Sequence, residues 1–480
     1  MMKRRNIVAT FVTLGLAAAA TTPAMALENE FHGLFSLRYI NSNFNRTATT
    51  DFGPGDGSYD PSGTTKKQYS ANFFEQRARL QYIAKANADL KLVTHFEIDY
   101  AYWGNSSYTT GRNQGGAQGA DTVNIETKSV YLDFNPCNFI NVKMGMQPIA
   151  DSFKGSIIDS DAAGVLLTGN NFGKFTPSMG YFRFNDTGKR DNVLGHLTSD
   201  MLLLDGKYEV SKDLKIGGAY YFFRDGQETG TSFTTTASNA ANGVLPDGTL
   251  VYPAGTTFAT TATSNRNDIK LHVFGLNAEY TAGPLTLNGF AIYETGWFNN
   301  DYVNSFAGNL GAKLKAGPGT ARMEMLYVSG GSRSAFYSSP GGEHGYYDNE
   351  MVILGRDKNA YTTDNSMLDL TGNRGQGQMG VYLGYDLPVT PKLDTAFNVG
   401  VAGVTHSTSR KPINIVSGTK NGSNFLGTEV NAEATYKLLE GLSVSFRTAY
   451  VFLGGYYKDV ALNGTPDDPY DLKLIFKYTF

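Results

Sequence analysis

Residues 470–480 read YDLKLIFKYTF. Tyr470, Leu472, Leu474, Phe476, Tyr478 and Phe480 fall on one parity, and Asp471, Lys473 and Lys477 on the other. Side chains of an extended strand alternate between two faces, so this stretch is a strand with one apolar and one charged face. The pattern recurs upstream. Leu442, Val444, Phe446, Tyr450 and Phe452 oppose Ser443, Ser445 and Arg447. Leu426, Val430, Ala432, Ala434, Tyr436 and Leu438 oppose Glu429, Asn431, Glu433 and Lys437. In 90–103, Leu90, Leu92, Phe96, Ile98, Tyr100 and Tyr102 oppose Lys91, His95, Glu97 and Asp99. Two runs change phase, 123–134 near Lys128 and 268–281 near Gly275, which indicates a bulge or a misplaced span.

A soluble sandwich also alternates, and three features separate the cases. The strands are long, whereas soluble strands cluster near five or six residues and a tilted membrane strand needs about 9–11. Long and short connections alternate. Charge is repeatedly admitted to one face of an apolar strand, which suits a wet lumen. The candidate strands are 31–40, 72–86, 89–103, 123–134, 139–147, 162–168, 174–185, 201–211, 214–224, 268–281, 285–298, 303–316, 319–330, 374–387, 393–406, 425–438, 442–456 and 470–480. They define an all-β fold, a closed antiparallel transmembrane β-barrel of 18 strands, with 16 as the alternative. Span 162–168 is the weakest, but an even count favours keeping it. Connections 41–71, 104–122, 225–267 and 331–373 are long, polar and follow odd strands, while Asn87-Ala88, Gly317-Pro318 and Leu439-Glu440-Gly441 are tight and follow even ones. Outer-membrane barrels carry short periplasmic turns and longer outer loops.

Composition is consistent with this reading. The chain has 480 residues, 41 Lys+Arg against 44 Asp+Glu, and one cysteine. A single cysteine excludes a disulfide framework and haem of the CxxCH kind. Balanced charge argues against a nucleic-acid partner. Beyond the N-terminus no run approaches 18 apolar residues, so helical membrane spans are excluded as well. No GxSxG, HExxH or P-loop occurs, the histidines are scattered singly, and neither an enzyme, a metal site nor a cofactor is indicated.

Lys3, Arg4 and Arg5, the uncharged stretch Ile7 to Ala20 and the small-x-small triplet Ala24-Met25-Ala26 form a secretory signal peptide. Residues 1–26 are thus expected to be cleaved, leaving 27–480 as a single barrel domain in the outer membrane, surrounded by lipid and lipopolysaccharide.

If the apolar parity faces lipid, the opposite parity lines the pore. Strands 2 to 4 then contribute Glu75, Arg77, Arg79, Lys91, His95, Glu97, Asp99, Glu126 and Lys128, and the closing strands Arg38, Glu429, Glu433, Arg447, Lys473 and Lys477. Arg38, Lys473, Lys477, Arg77 and Arg79 form a basic tract, and Glu97 and Asp99 begin an acidic one. Such a transverse field would orient polar solutes. Tyr100, Tyr102, Tyr220 to Phe223, Tyr293 and Trp297 are expected in the aromatic girdles at the bilayer interfaces.

Phe480, preceded at alternate positions by Tyr478, Phe476 and Leu474, resembles the terminal signature recognised by the barrel assembly machinery. Residues 145–173, with Met146-Gln147-Pro148 and Asp161-Ala162-Ala163-Gly164-Val165, resemble part of the porin and alginate-export-like families. In size and character the chain resembles the abundant porin-like channels of Geobacter-type metal-reducing bacteria. This resemblance implies passive diffusion of small hydrophilic solutes or ions, by a monomer or a homo-oligomer such as a trimer. It also implies that the third outer loop, 148–161, folds inward, making Asp151, Lys154, Asp159 and Asp161 candidate constriction residues; loops 225–267 and 331–373 are alternatives. Three rivals stand beside the porin: a sheath for a cytochrome partner, a polymer exporter, and a structural or adhesive barrel with an occluded lumen. The exporter would need a densely basic lumen, and the signs here are mixed.

Overall fold

The last strand pairs with the first. In the computed structural model Ser42 lies opposite Asp471, Ile40 opposite Lys473 and Leu34 opposite Thr479, in one antiparallel register. That seam closes an 18-stranded sheet in which every strand pairs with its neighbours in the chain. Closure satisfies the backbone without helices or free edges, as a hydrocarbon environment demands. The structure describes residues 27–44, 70–104, 116–119, 125–186, 193–239, 243–244, 250–251, 253, 256–339, 345–357, 364–368, 371–406, 411–460 and 464–480. The signal-peptide expectation at 1–26 lies outside them.

The barrel strands are β1 (Glu28–Ser42), β2 (Ala71–Asn87), β3 (Leu90–Tyr102), β4 (Glu126–Cys137), β5 (Ile140–Ala150), β6 (Asp159–Gly169), β7 (Phe175–Asp186), β8 (Thr198–Glu209) and β9 (Leu214–Asp225). They continue as β10 (Ile269–Ala282), β11 (Leu285–Phe298), β12 (Asp301–Ala316), β13 (Gly319–Val328), β14 (Gln378–Thr390), β15 (Leu393–Gly403), β16 (Phe425–Leu439), β17 (Leu442–Leu453) and β18 (Tyr470–Thr479). The weakest expected span, 162–168, is β6, and the count is 18 rather than 16. Connections after even strands are tight and mark one end of the barrel, the turn end. Those after odd strands mark the loop end and are mostly long, Asn299-Asn300 being the short one.

Outward positions carry an apolar belt: Leu276 is 70% exposed, Leu310 68% and Phe306 52%. A continuous belt of this kind has no stable place in water, and lipid is its solvent. At the seam, Gly33 donates its N–H to the Phe480 carbonyl at 2.9 Å, and a Cβ on Gly33 would stand 2.1 Å from the Phe480 ring. A side chain at position 33 would have to push the terminal ring aside.

Bulges correct part of the parity reading. The phase change near Lys128 is a bulge, since His95 pairs with Ser129 and Phe96 with Thr127. The change near Gly275 is not, because β10 keeps unbroken register with both neighbours. In β3 an extra residue between Ile98 and Ala101 reverses the alternation, and Tyr102 turns inward against Phe73 instead of joining a girdle. Leu426, expected to face lipid, is the extra residue of β16 and is buried inside.

A hydrophobic core occupies part of the interior. Inward residues of β7 to β13, among them Phe182, Met201, Leu271, Ile292 and Val303, pack against loop residues such as Phe153, Ile157 and Phe336. Tyr221 and Phe223 belong to this core and not to a girdle. On these strands both faces are apolar, one against lipid and one against the in-folded loops.

Candidate functional site

Parity places Arg38, Glu75, Lys473 and Asp471 on the inner wall across the β1–β18 seam, all essentially without solvent exposure. The Arg38 guanidinium bonds the Glu75 carboxylate from the adjacent strand. Its Nη1 also lies 2.8 Å from Oδ2 of Asp364, and Lys473 Nζ lies 2.9 Å from Asp364 Oδ1 and 3.3 Å from Asp471. Arg447 on β17 binds Glu433 at 2.7 Å and Asp357 at 2.9 Å. Asp357 and Asp364 both come from the 329–377 connection, which therefore reaches from β13 across the interior to the closing strands.

That loop is held on both sides. Glu429 of β16 accepts the backbone N–H groups of Val352, Ile353 and Leu354 at 2.7, 2.9 and 2.7 Å. Asn431 donates to the Glu429 carboxylate at 2.8 Å and to the Glu350 carbonyl at 3.1 Å. On the opposite flank the Tyr347 hydroxyl bonds Glu324, and Asn309 donates to that hydroxyl at 2.6 Å. Glu294 accepts from the Tyr337 N–H at 3.0 Å and the Ser305 hydroxyl at 2.8 Å. Burial of polar backbone is tolerable only with such partners.

The shorter 151–158 loop also folds inward, around one carboxylate. Asp151 accepts the N–H groups of Phe153, Gly155, Ile157 and Ile158 at 2.6, 3.0, 2.6 and 2.8 Å. Burial pushes its pKa up against those four donors, which pull it down. Phe153 is completely buried in the notch left by Gly275, where a Cβ would stand 2.2 Å from the ring. Of the four expected constriction residues, Asp151 thus spends its carboxylate on folding the loop. Lys154 pairs with Glu324 at 2.8 Å, Asp161 with Lys128 at 2.5 Å, and Asp159 is exposed at the start of β6.

The other sequence-expected residues fall as follows. Arg77 and Arg79 lie 3.3 and 2.7 Å from the same carboxylate, Glu97. The expected separation of basic and acidic tracts is therefore not found here: adjacent strands bring the opposite signs together. Lys91 pairs with Asp133 at 3.3 Å, His95 is half-buried, Glu126 lies opposite Glu97 in register, and Lys477 is exposed near the turn end. The Asp99 side chain lies outside the described residues.

Two cavities open toward the turn end. One, of about 310 Å³, lies beside the 345–357 loop and is lined by Glu350, Asp357, Asp386, Asp394, Glu433 and Arg447 among others. The other, of about 640 Å³, lies beneath the 151–158 loop and takes Lys154, Lys174, Lys207, Lys215 and Lys313 with Glu209, Glu279 and Glu324. Arg322 stands between them, bonding Asp386 at 2.6 and 2.8 Å and Asn398 at 2.9 Å. A separation of sign thus exists on strands that the sequence reading did not single out. The apolar run Met351 to Leu354 inside a polar outer loop was the available signal for the larger in-folded segment; nothing local marks Asp364.

No protein-family model matches the chain, and no curated protein matches it. Solved structures match in fold. OpdL of Pseudomonas aeruginosa superposes with a TM-score of 0.53 at 12% identity, covering 94% of this chain and 99% of its own. OccK5 (OpdH) of the same organism gives 0.52 at 11%, covering 94% and 98%. OccAB4 of Acinetobacter baumannii gives 0.51 at 13%, covering 96% and 100%. The chain shares with these outer-membrane porins the fold of a closed antiparallel barrel of 18 strands.

Proposed function

We propose that the protein is an outer-membrane porin giving passive diffusion of small hydrophilic solutes or ions. The observation that carries this reading is the contrast between an apolar belt outside and charged cavities inside, beside two in-folded loops. Charge held in a narrow, low-dielectric-walled passage acts on a solute more strongly than charge on an open surface. Arg77, Arg79, Glu97, Lys128 and Asp161 serve as one wall of the path, and the 345–357 loop with Asp348 and Arg356 as the other. The protein needs no cofactor and performs no catalysis.

In this reading the turn end is periplasmic, residues 1–26 are removed on export, and lipopolysaccharide surrounds the loop end. Phe480 is the signal to the barrel assembly machinery. The likeness to Geobacter-type porins and, more distantly, to alginate-export-like barrels rests on residues 145–173 and the last strand, and stays a proposal. So does assembly as a monomer or trimer. A cytochrome partner within the barrel is disfavoured by the chain's own core, which takes that space.

An occluded barrel is the second reading, favoured by the tethers on the 329–377 loop. Swelling of liposomes carrying the purified protein separates the two. A porin admits small sugars and amino acids and slows with solute size; an occluded barrel leaves the liposomes at the rate of empty ones, which would overturn the proposal.

A further inference from the structure

Both in-folded loops meet on one wall residue. Lys154 of the 151–158 loop lies 2.8 Å from Oε1 of Glu324 on β13, and the Tyr347 hydroxyl of the 329–377 connection donates to Oε2 of the same carboxylate. Asn309 on β12 donates to that hydroxyl at 2.6 Å, and the Lys154 ammonium stands 5.9 Å from the centre of the Tyr347 ring. One carboxylate thus spends an oxygen on each loop. Lys154 reaches it from a left-handed backbone conformation, with φ at 60°, which a residue with a Cβ adopts rarely.

Contacts away from Glu324 repeat the pairing. The Phe290 ring on β11 makes edge-to-face contact with a ring of each loop, 6.0 Å from Phe153 and 6.2 Å from Tyr347. Ser339 donates its N–H to the Ile157 carbonyl at 3.0 Å. Where the two loops touch, each has a glycine: a Cβ on Gly155 would stand 2.5 Å from the Tyr346 carbonyl oxygen, and one on Gly345 2.8 Å from that of Ser156. Phe290, Asn309 and Tyr347 are buried, whereas the Lys154 and Glu324 side chains stay 32% and 23% exposed and line the cavity of about 640 Å³. Tightly packed groups of this kind shift between discrete arrangements rather than deforming freely.

We propose that Glu324 is a positioning residue that joins the two in-folded loops into one body, so that they enter and leave the interior together. Glu429 holds the long loop alone, whereas Glu324 takes a donor from each loop. The two donors support one another through the charge they share. Withdrawing Lys154 leaves the carboxylate beside Tyr347 without its cation, and withdrawing Tyr347 opens the carboxylate to water and weakens its hold on Lys154. The consequence for flow, a path that widens in one step instead of two, rests on the porin reading; the coupling itself does not.

The test reads each loop separately in the full-length mature protein, folded in detergent. Single cysteines at Ser156→Cys in the short loop and Val352→Cys in the long one, each in a Cys137→Ser background, are labelled with a bulky hydrophilic maleimide. Lys154→Met should speed labelling at position 352 about threefold or more, and Tyr347→Phe should do the same at position 156. Glu324→Gln should speed both. Each variant is compared at unchanged heat-modifiable electrophoretic mobility, which reports a folded barrel. Substitutions that speed labelling only within their own loop, or at neither position, would overturn the proposal. Labelling needs no conduction, so an occluded barrel would show the same cross-dependence and fail only in liposome swelling.

Discussion

Asp364, in the connection between β13 and β14, stands 2.8 Å from Arg38 on β1, five strands round the barrel from β14. The same carboxylate meets Lys473 at 2.9 Å, so one acidic side chain ties the loop to both strands of the seam. The loop is part of the barrel's ionic interior, and its position is set by the wall.

Replacing Asp364 by alanine leaves Arg38 and Lys473 short of a buried counter-charge. Removing one member of a buried ion pair costs about 3–5 kcal/mol, because the remaining charge is uncompensated. The variant should unfold at lower denaturant and show a larger single-channel conductance as the loop detaches. Unchanged conductance in a destabilised barrel would show that the loop does not narrow the path.

Glu429 holds three consecutive backbone N–H groups of the same loop. A buried donor left unsatisfied costs about 1–3 kcal/mol. Glu429→Ala should therefore render the 345–357 segment cleavable by added protease in detergent, with Glu429→Gln intermediate.

Gly275 and Phe153 fit as notch and ring. Gly275→Val puts a branched side chain into space that the ring occupies; overpacking costs typically about 1–3 kcal/mol. The expected outcome is displacement of the 151–158 loop, read as altered conductance together with lost stability, and Phe153→Ala should relieve the clash in the double variant.

Asp348 sits on the in-folded loop, 3.7 Å from Arg356, and burial raises its pKa from 3.8 to about 6, against the pull of Arg356. The folded state therefore holds the proton more tightly than the unfolded chain. Its contribution to stability is present below pH 3.8 and is lost as pH rises through about 6. Over the same window the loop gains a negative charge. Cation preference, measured as reversal potential in a salt gradient, should increase between pH 5 and 7, and Asp348→Asn should flatten that step.

Much of the barrel was legible because lipid enforces period two. Leu472, Leu474 and Phe476 could only face outward once Lys473 needed the inside, and even β6 followed from the requirement for an even strand number. Tyr102 and Leu426 were misplaced because a single bulged residue reverses every later position, and sequence alternation does not fix where the extra residue falls. Tyr221 and Phe223 were misplaced for another reason. The run Tyr220 to Phe223, expected in a girdle, is apolar at both parities, as is its neighbour Met201 to Leu204, and that is the signature of strands buried on two faces. Asp357 and Asp364 carried no local signal at all. Their roles are set by wall residues such as Arg38, more than 300 positions away in the case of Asp364.

The central claim is that solutes and ions cross this barrel by diffusion. Single-channel recording of the mature protein in planar bilayers tests it most directly. The account predicts discrete conductance steps, with a reversal potential that moves toward cation preference as pH rises through 6. A fully folded barrel that inserts and gives no steps at any pH, before and after Asp364→Ala, would contradict it.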